Sequence, residues 1–378
     1  MRRKKILIFI DWYKPGFKAG GPIRSISNLV DQLHEKVAIY IVTRNTDYLE
    51  SISYTTVKTD EWNTIDGAQV FYLSSQNTTA KTIKNLIKEV QPNTVYCNSL
   101  YSYYFSLLPI YIAKKLHIRV VLAVRGMLSK GSLGVKSRKK LFFLQSAKFI
   151  GYFKNVIFHA TTLDEKKDIK KAFGKKTTVI VASNLLQKKS LDFHEKIKNN
   201  NKLKLVSVAR ISPEKNTLYA LETLKQCKSN IEFDIYGPIY NQEYWLKCQA
   251  VINQLPNNIV VNYKGTLNHD DIDITLQNYH TLFLPSTGEN FGHIILEAML
   301  NSCVPIISDK TPWKNLENQK IGFDLSLNNI STFVEKIDFL ASLSNKDFYE
   351  YSFNAYRLGL KTNSSHQNIA AYQQLFHL

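Results

Sequence analysis

Two glutamates eight residues apart, Glu289 and Glu297, stand in the stretch STGENFGHIILEAMLNSCVP (286–305). With His293 they are spaced i, i+4 and i+8, which predicts that all three line one stripe of a helix. Carboxylates there can accept hydrogen bonds from the vicinal hydroxyls of a ribose or a hexose. The alternatives are a solvated helix face or a buried set paired with cations. A metal site on this spacing is the least favoured interpretation.

Glycines mark two predicted helix starts. Gly292 closes the segment 290–292, where the helix that contains Glu297 should begin, and it would let backbone N–H groups approach sugar hydroxyls or phosphate. Gly20 and Gly21 lie between the first predicted strand and the next helix, where N–H groups could also approach a phosphate. A simple turn explains the second pair equally well.

Two cations follow a predicted strand in ARISPEKN, where Arg210 ends the strand and Lys215 lies on the loop. Such a pair suits the clamping of a diphosphate, and two solvated surface cations are the alternative. We expect Lys215 to be exposed, so that its loss would spare the fold. Asp271 and Asp273 match the DxD pattern of metal-dependent sugar transfer, but acids are favourable in a helix's first turn and we interpret them as structural.

Short apolar runs alternate with helical stretches along the chain, which predicts α/β architecture with parallel sheets covered on both faces. The series starts at KILIFI and restarts at NKLKLVSVAR, after the polar stretch 186–201. We predict two Rossmann-like domains, 1–190 and 191–378, that face each other across a cleft, with the last helix able to pack back on the N-terminal domain. Ligands of such sheets bind outside the carboxyl ends of the strands.

The composition excludes several classes of protein. The 378 residues are 44% hydrophobic, enough for substantial cores, but contain no apolar run of the roughly 18 residues that a membrane helix needs. The basic start followed by ILIFI suggests a first strand rather than a signal peptide, because the apolar run is short. Four scattered cysteines argue against a disulfide framework or structural zinc and fit a reducing compartment.

The net charge of +18 is unevenly distributed. Residues 1–190 carry 32 basic and 12 acidic side chains, and no acid occurs between Glu89 and Asp164. This asymmetry indicates an anionic partner, unless it only reflects a basic proteome. The segment 126–154 combines six lysines and Arg138 with Phe142, Phe149 and Phe153. We expect it near an anionic membrane surface, and a core helix with these three rings packed inward is the alternative.

Together, several segments resemble retaining glycosyltransferases of the GT-B fold, in the large family four of bacterial polysaccharide and glycolipid assembly. They follow the family's order across nearly the whole chain: AGGPIRSISNLVDQL, VRGMLSKGSL, FHATTLDEKKDI, SVARISPEKN, FDIYGP, YKGTL and LPSTGENFGHIILEAMLNSCVPIIS. The last segment resembles the family's Glu-x7-Glu motif. The following SDKTPW resembles a subgroup that acts in capsule, exopolysaccharide or O-antigen synthesis.

The resemblance implies roles for matching residues. Arg210 and Lys215 would hold the donor diphosphate, Glu297 the ribose hydroxyls, and Glu289 the donor sugar. The remaining donor-binding positions would be Gly20, Gly21, Tyr236, Gly237, Gly265, Asn290, Phe291, Gly292 and His293.

One departure concerns the acceptor side, where many relatives carry His-Gly and this chain has Arg125-Gly126. An arginine stays protonated and cannot be a general base. Arg125 and Lys130 would instead contribute charge near the acceptor diphosphate.

The implied activity is metal-independent transfer of a hexose-type sugar from a UDP- or GDP-linked donor, with no cofactor. The acceptor would be a lipid-linked saccharide, met at the cytoplasmic face of the membrane by the basic N-terminal domain. Alternatives of the same fold are a sugar-nucleotide epimerase and a phosphorylase. A nucleic-acid-binding module is less favoured, because a stripe carrying Glu289 and Glu297 would repel phosphates.

Overall fold

The computed structural model describes residues 3–128, 137–185, 192–199, 201–268, 271–363 and 366–378, with the backbone alone at 137–139, 141 and 366–368. The chain divides into two compact units, Met1–Lys188 with Ser365–Leu378, and Lys189–Ser364. The chain therefore returns to the first unit for its last helix. The boundary predicted from the sequence is at residue 190.

The first unit is built on an eight-stranded sheet in the order β3-β4-β2-β1-β5-β6-β7-β8. Its strands are β1 (Lys5–Phe9), β2 (Ala38–Arg44), β3 (Trp62–Ile65), β4 (Ala68–Leu73), β5 (Thr94–Asn98), β6 (Arg119–Ala123), β7 (Ile157–Ala160) and β8 (Val179–Val181). All neighbours pair in parallel except β3, which runs antiparallel to β4. The central strands are apolar runs because both faces of the sheet are buried.

Helices cover this sheet on both faces: α1 (Gly21–Leu33), α2 (Ala80–Val90), α3 (Leu108–Lys115), α4 (Ser137–Phe149) and α5 (Leu163–Phe173). A π-helical turn, Tyr103–Leu107, leads directly into α3. The local sequence determines where several of these helices begin. Pro22 occupies the first turn of α1, and the Thr79 and Thr162 side chains accept backbone N–H bonds at the starts of α2 and α5.

The second unit has a fully parallel six-stranded sheet in the order β11-β10-β9-β12-β13-β14. Its strands are β9 (Lys202–Val208), β10 (Asn230–Tyr236), β11 (Ile259–Tyr263), β12 (Thr281–Leu284), β13 (Val304–Ser308) and β14 (Phe323–Leu325). The helices are α6 (Thr217–Leu224), α7 (Gln242–Ile252), α8 (Ile272–Leu276), α9 (His293–Leu300), α10 (Ile330–Ser342) and α11 (Asn345–Asn363). The final helix, α12 (His366–Phe376), belongs to the first unit.

The predicted α/β class, with two sheets dominated by parallel strands, is confirmed. The polar stretch 186–201, where the structure describes it, contains two buried lysines. Lys196 and Lys198 are only 5% and 2% exposed. Lys196 Nζ donates to Leu276 O at the end of α8, and Lys198 Nζ donates to Ala341 O near the end of α10. Cations are favourable at these negative helix ends, so both lysines tie the segment 192–199 to the second unit.

Candidate functional site

The loops that follow β9 and β12 lie side by side, because these two strands are hydrogen-bonded neighbours. The chain leaves β9 for β10 and β11 on one side of the sheet and returns to β12 on the other. This is the topological switch point, where the carboxyl ends of an open α/β sheet form a crevice. Arg210 and Lys215 lie on the first loop and Glu289 on the second, so the sheet order brings these predicted residues together.

Hydrogen bonds lock the two loops to each other. Thr287 N donates to Glu214 O at 2.9 Å, and Asn216 Nδ2 donates to Pro285 O at 3.1 Å. Asn216 adopts a left-handed φ of 61° immediately before α6 begins, which sets the direction of Lys215 beside it. The position of Lys215 is therefore fixed by hydrogen bonds of the residues on both sides of it.

Lys215 and Glu289 form an ion pair, with 2.5 Å between Lys215 Nζ and Glu289 Oε1. Their side chains are 20% and 10% exposed, so the expectation of an exposed Lys215 is wrong. Arg210 is exposed at the end of β9. Burial acts to raise the pKa of Glu214, but hydrogen bonding and the charges of Arg210 and Lys215 hold it below its usual value. The second unit therefore gathers two cations and two carboxylates at one sheet edge.

The start of α9 is held in an unusual conformation. Gly292 has φ 75° and ψ 61°, and a Cβ there would lie 2.8 Å from Ile295 Cδ1, so the turn requires glycine. The Trp313 indole N–H donates to Phe291 O at 2.7 Å, and the two rings meet edge to face. The first N–H groups of a helix have no intrahelical acceptor, so this fixed turn presents a positive helix end.

The predicted single stripe of Glu289, His293 and Glu297 is wrong. α9 begins at His293, and the left-handed backbone of Gly292 turns Glu289 onto the preceding loop. His293 is 8% exposed with its ring against Phe291, whereas Glu297 is half-buried within the helix. Glu289 and Glu297 thus occupy different local environments.

The loops after β10 and β11 bring Tyr236, Gly237 and Gly265 together, since Gly237 N donates to Gly265 O at 2.8 Å. Gly237 has φ 148°, and a Cβ there would lie 1.8 Å from Ala209 O, so no other residue fits without moving the neighbouring backbone. These positions lie at the carboxyl edge on the far side of β9 from Glu289.

A buried carboxylate, Asp234, organises the same edge. Tyr279 Oη donates to Asp234 Oδ2 at 2.6 Å and lies 3.1 Å from Tyr236 Oη, and Asn262 Nδ2 donates to Asp234 Oδ1 at 2.8 Å. Burial raises the pKa of Tyr279, and the hydrogen bond to Asp234 acts in the same direction. Lys264 Nζ lies 3.5 Å from Asp234 Oδ2 and balances its charge. The network fixes the Tyr236 ring.

Asp271 and Asp273 lie at the start of α8, as the sequence interpretation has them. Asn301 Nδ2 donates to Asp273 Oδ1 at 2.8 Å, so this carboxylate helps to hold α8 against the end of α9. Within the described part of the chain, no group of three or more histidine, cysteine or acidic side chains is placed to hold a metal ion. The described helices also include none that is long and apolar enough to cross a membrane.

In the first unit, Gly20 and Gly21 stand where β1 leads into α1. Gly20 has φ 69° and ψ −122°, which only glycine adopts readily, while neither glycine has an atom within 4 Å of a built Cβ. The space beside them is open. Lys130 lies outside the described residues.

Arg125 is turned into the first unit. Its φ is 54°, and its guanidinium donates to Asn98 Oδ1 through both Nε and Nη2, to Asn184 Oδ1 at 2.6 Å, and to Tyr96 Oη at 3.0 Å. These bonds use most of the five N–H donors of the side chain. The acceptor-side role of Arg125 stays a prediction, and Arg125 also joins polar side chains of β5 to Asn184, which follows β8.

The same network extends to a buried histidine. Tyr96 Oη lies 2.7 Å from His159 Nδ1, and His159 Nε2 lies 2.7 Å from Ala182 O. The carbonyl requires Nε2 to carry the proton, so Tyr96 donates to Nδ1. Burial lowers the pKa of His159 to about 3, and the Arg125 charge acts in the same direction.

Sequence reasoning missed three contributors to these sites. Trp313 was noted only as part of a motif, since its partner Phe291 lies far away in sequence. Glu214 could have been found from its sequence position, because it is an acid between Arg210 and Lys215. Asp234 could also have been found, because it is a charged residue inside an apolar strand.

Residues 188–354 match the family model described as Glycosyl transferases group 1. The matched residues lie almost entirely within the second unit. The prediction that the chain is a glycosyltransferase is therefore confirmed at this level. No curated protein matches the sequence.

Solved glycosyltransferase structures are similar over the whole chain. HepE from Anabaena, in complex with UDP and glucose, has a TM-score of 0.73 at 14% identity and covers 99% of this chain and 98% of its own. Sucrose-phosphate synthase from Thermosynechococcus elongatus has a TM-score of 0.73 at 11% identity, and the match covers 100% of this chain and 98% of the synthase. WaaG, a glycosyltransferase involved in lipopolysaccharide biosynthesis, has a TM-score of 0.66 at 11% identity, and the match covers 98% of this chain and 99% of WaaG. Such identities show the fold, and the predicted GT-B fold is confirmed.

Proposed function

We propose that this chain is a retaining, metal-independent glycosyltransferase of family four. It would move a hexose-type sugar from a nucleotide-sugar to a lipid-linked saccharide during the synthesis of cell-surface polysaccharide such as capsule or O-antigen. The observation that carries the proposal is the Lys215–Glu289 ion pair at the switch point of the second sheet, beside Arg210 and the glycine-led start of α9.

The two cations suit the departing diphosphate. An ammonium has three N–H donors, so the bond from Lys215 to Glu289 leaves capacity for phosphate oxygens. Arg210 is exposed at the same strand end and can add a bidentate contact. Cleavage of the sugar–phosphate bond places negative charge on the diphosphate, and preorganised cations and helix N-termini stabilise such charge best.

The carboxylates suit hydroxyl groups. The carboxylate oxygens of Glu289 can accept hydrogen bonds from the donor sugar, and backbone groups of 290–293 would contact the same sugar. Glu297, half-buried in α9, would accept from the ribose hydroxyls. The leaving phosphate oxygen would take the acceptor's proton on the face that the diphosphate leaves, which retains the anomeric configuration and requires no enzymic nucleophile.

The donor and acceptor follow from chemistry and similarity. The Anabaena HepE structure contains UDP and glucose, which favours a UDP-linked hexose, with a GDP-linked donor as the alternative. Gly20 and Gly21 would approach the diphosphate, and the loops with Tyr236, Gly237 and Gly265 would contact the base. No further cofactor takes part. The basic first unit would meet a lipid-linked acceptor at the inner membrane face.

Release of nucleoside diphosphate from UDP-, GDP-, dTDP- and ADP-sugars tests the proposal, with and without a saccharide acceptor. We expect slow hydrolysis of one donor, accelerated by acceptor and unaffected by EDTA. Interconversion of the donor without acceptor would indicate an epimerase, and release of sugar phosphate that requires inorganic phosphate would indicate a phosphorylase.

A further inference from the structure

Six large apolar side chains of the first unit are exposed on neighbouring elements. On α4 and just after it, Phe142, Phe149 and Ile150 are 73%, 92% and 67% exposed. On the π-helical turn and α3, the exposed side chains are Tyr103, Tyr104 and Tyr111. We call these six residues the aromatic patch. Phe142 and Phe149 are seven residues apart, which places them on one stripe of α4.

Direct contacts join the two halves of the aromatic patch. Tyr152, shortly after α4, donates its hydroxyl to Leu107 O, and Lys114 Nζ on α3 donates to Tyr152 O at 2.7 Å. At the middle of α4, the centre of the Phe143 ring lies 5.6 Å from that of the Tyr101 ring. The middle of α4 and the segment just after it therefore lie against the segment 101–115, so the two sets of exposed rings stand on elements that contact each other.

The contrast with Phe153 shows that exposure here is selective. Phe153 is 8% exposed and packs against the rings of Phe158 and Phe173. The alternative in which Phe142, Phe149 and Phe153 all pack inward is therefore wrong for the first two. A phenylalanine that is 92% exposed gains nothing from the fold, and an exposed apolar cluster of this kind indicates an interaction surface.

The charge around the patch selects the partner. No acidic residue occurs from 90 to 163, the stretch that supplies every member of the patch. Lys115 Nζ stands 4.6 Å from the centre of the Tyr111 ring, and Lys148 and Lys154 are exposed beside Phe149 and Ile150. Tyrosine rings favour the boundary between headgroups and acyl chains, and lysines favour lipid phosphates.

We propose that the aromatic patch inserts into the headgroup region of an anionic lipid bilayer, with the surrounding lysines on the lipid phosphates. This deepens the proposed function, because a lipid-linked acceptor would be met at that surface. Basic residues alone would give binding that disappears as salt shortens screening to about 3 Å at 1 M. Inserted rings add an apolar contribution that salt does not remove.

Co-sedimentation with vesicles of equal phosphatidylglycerol and phosphatidylcholine tests the proposal on the full chain. We expect the double variant Phe142→Ser/Phe149→Ser to bind roughly a hundredfold more weakly, about tenfold for each ring. The matched control is Ile52→Ser, which removes a side chain of the same unit that is 77% exposed and lies outside the patch. Its binding should equal that of wild type, and all three proteins should share one melting temperature.

Insertion itself is measured by fluorescence. A Phe149→Trp variant should be quenched by brominated lipid in anionic vesicles, and an Ile52→Trp variant should not. Equal binding of the double variant and wild type, loss of all wild-type binding at 1 M NaCl, or equal binding to pure phosphatidylcholine would overturn the proposal. Donor hydrolysis without vesicles is a separate test of the glycosyltransferase, so either result can fail alone.

Discussion

Replacing Lys215 with alanine removes the ammonium that lies 2.5 Å from Glu289 Oε1. The mutation withdraws one preorganised contact from the departing diphosphate, which typically costs about 10²- to 10³-fold in kcat/KM, or roughly 2.7–4 kcal/mol of transition-state stabilisation. It also leaves Glu289 with its side chain 10% exposed and without its partner. A buried group left without its partner costs about 1–3 kcal/mol of unfolding free energy, and a charged group costs more. The burial therefore predicts a measurable loss of stability in a variant that still folds.

The assay measures nucleoside diphosphate release and urea unfolding on the same preparations. The matched control is Lys247→Ala on α7, whose pair with Glu243 has side chains that are 60% and 79% exposed. Such a surface pair contributes little, so both activity and stability should stay near wild type. The double variant Lys215→Ala/Glu289→Gln should recover part of the lost stability, because it removes the unpaired charge. Near-normal turnover in folded Lys215→Ala would refute the assigned role.

Three further predictions follow from the other residues. Glu297→Gln should weaken binding of the nucleoside diphosphate about tenfold or more, whereas Glu289→Gln should spare it and impair transfer; calorimetry decides, and equal losses would contradict the roles. EDTA should leave most activity intact. An absolute requirement for Mg²⁺, together with loss of activity in Asp271→Ala, would contradict the structural interpretation of Asp271. Burial lowers the pKa values of His159 and His280 to about 3 and 4, so the unfolded state gains protons first as pH falls below about 6.5. The unfolding free energy should therefore decrease as the pH is lowered from 7 to 5, and the protonation of His159 in the unfolded state alone should account for about 2 kcal/mol of that decrease. An unfolding free energy that does not change over this range would disprove the burial argument.

The alternation of strands and helices was predictable from sequence, because strands buried on both faces are written as apolar runs. β9, β10 and β12 follow their runs closely. β3 was missed, since WNTI is short, polar in part and half-exposed at the sheet edge. Its antiparallel pairing depends on β4 rather than on its own composition.

The sequence indicates candidate site residues but not their arrangement. The spacing of Glu289 and Glu297 indicated a helical stripe, and one left-handed glycine at Gly292 separates them instead. The ion pair of Lys215 with Glu289 joins residues from two loops, and only the strand order makes them neighbours. The polar composition around Lys198 likewise gives no sign of its burial, because no local pattern records the distant helix end to which this side chain donates.

The central claim is transfer of a sugar from a nucleotide donor with retention of configuration. Proton NMR of the sugar released or transferred during turnover of the preferred donor measures this directly. We predict a newly formed anomeric centre with the configuration of the donor, and loss of the signal in Lys215→Ala. A product of inverted configuration would contradict the retaining mechanism, and a failure to consume any nucleotide-sugar would contradict the claim as a whole.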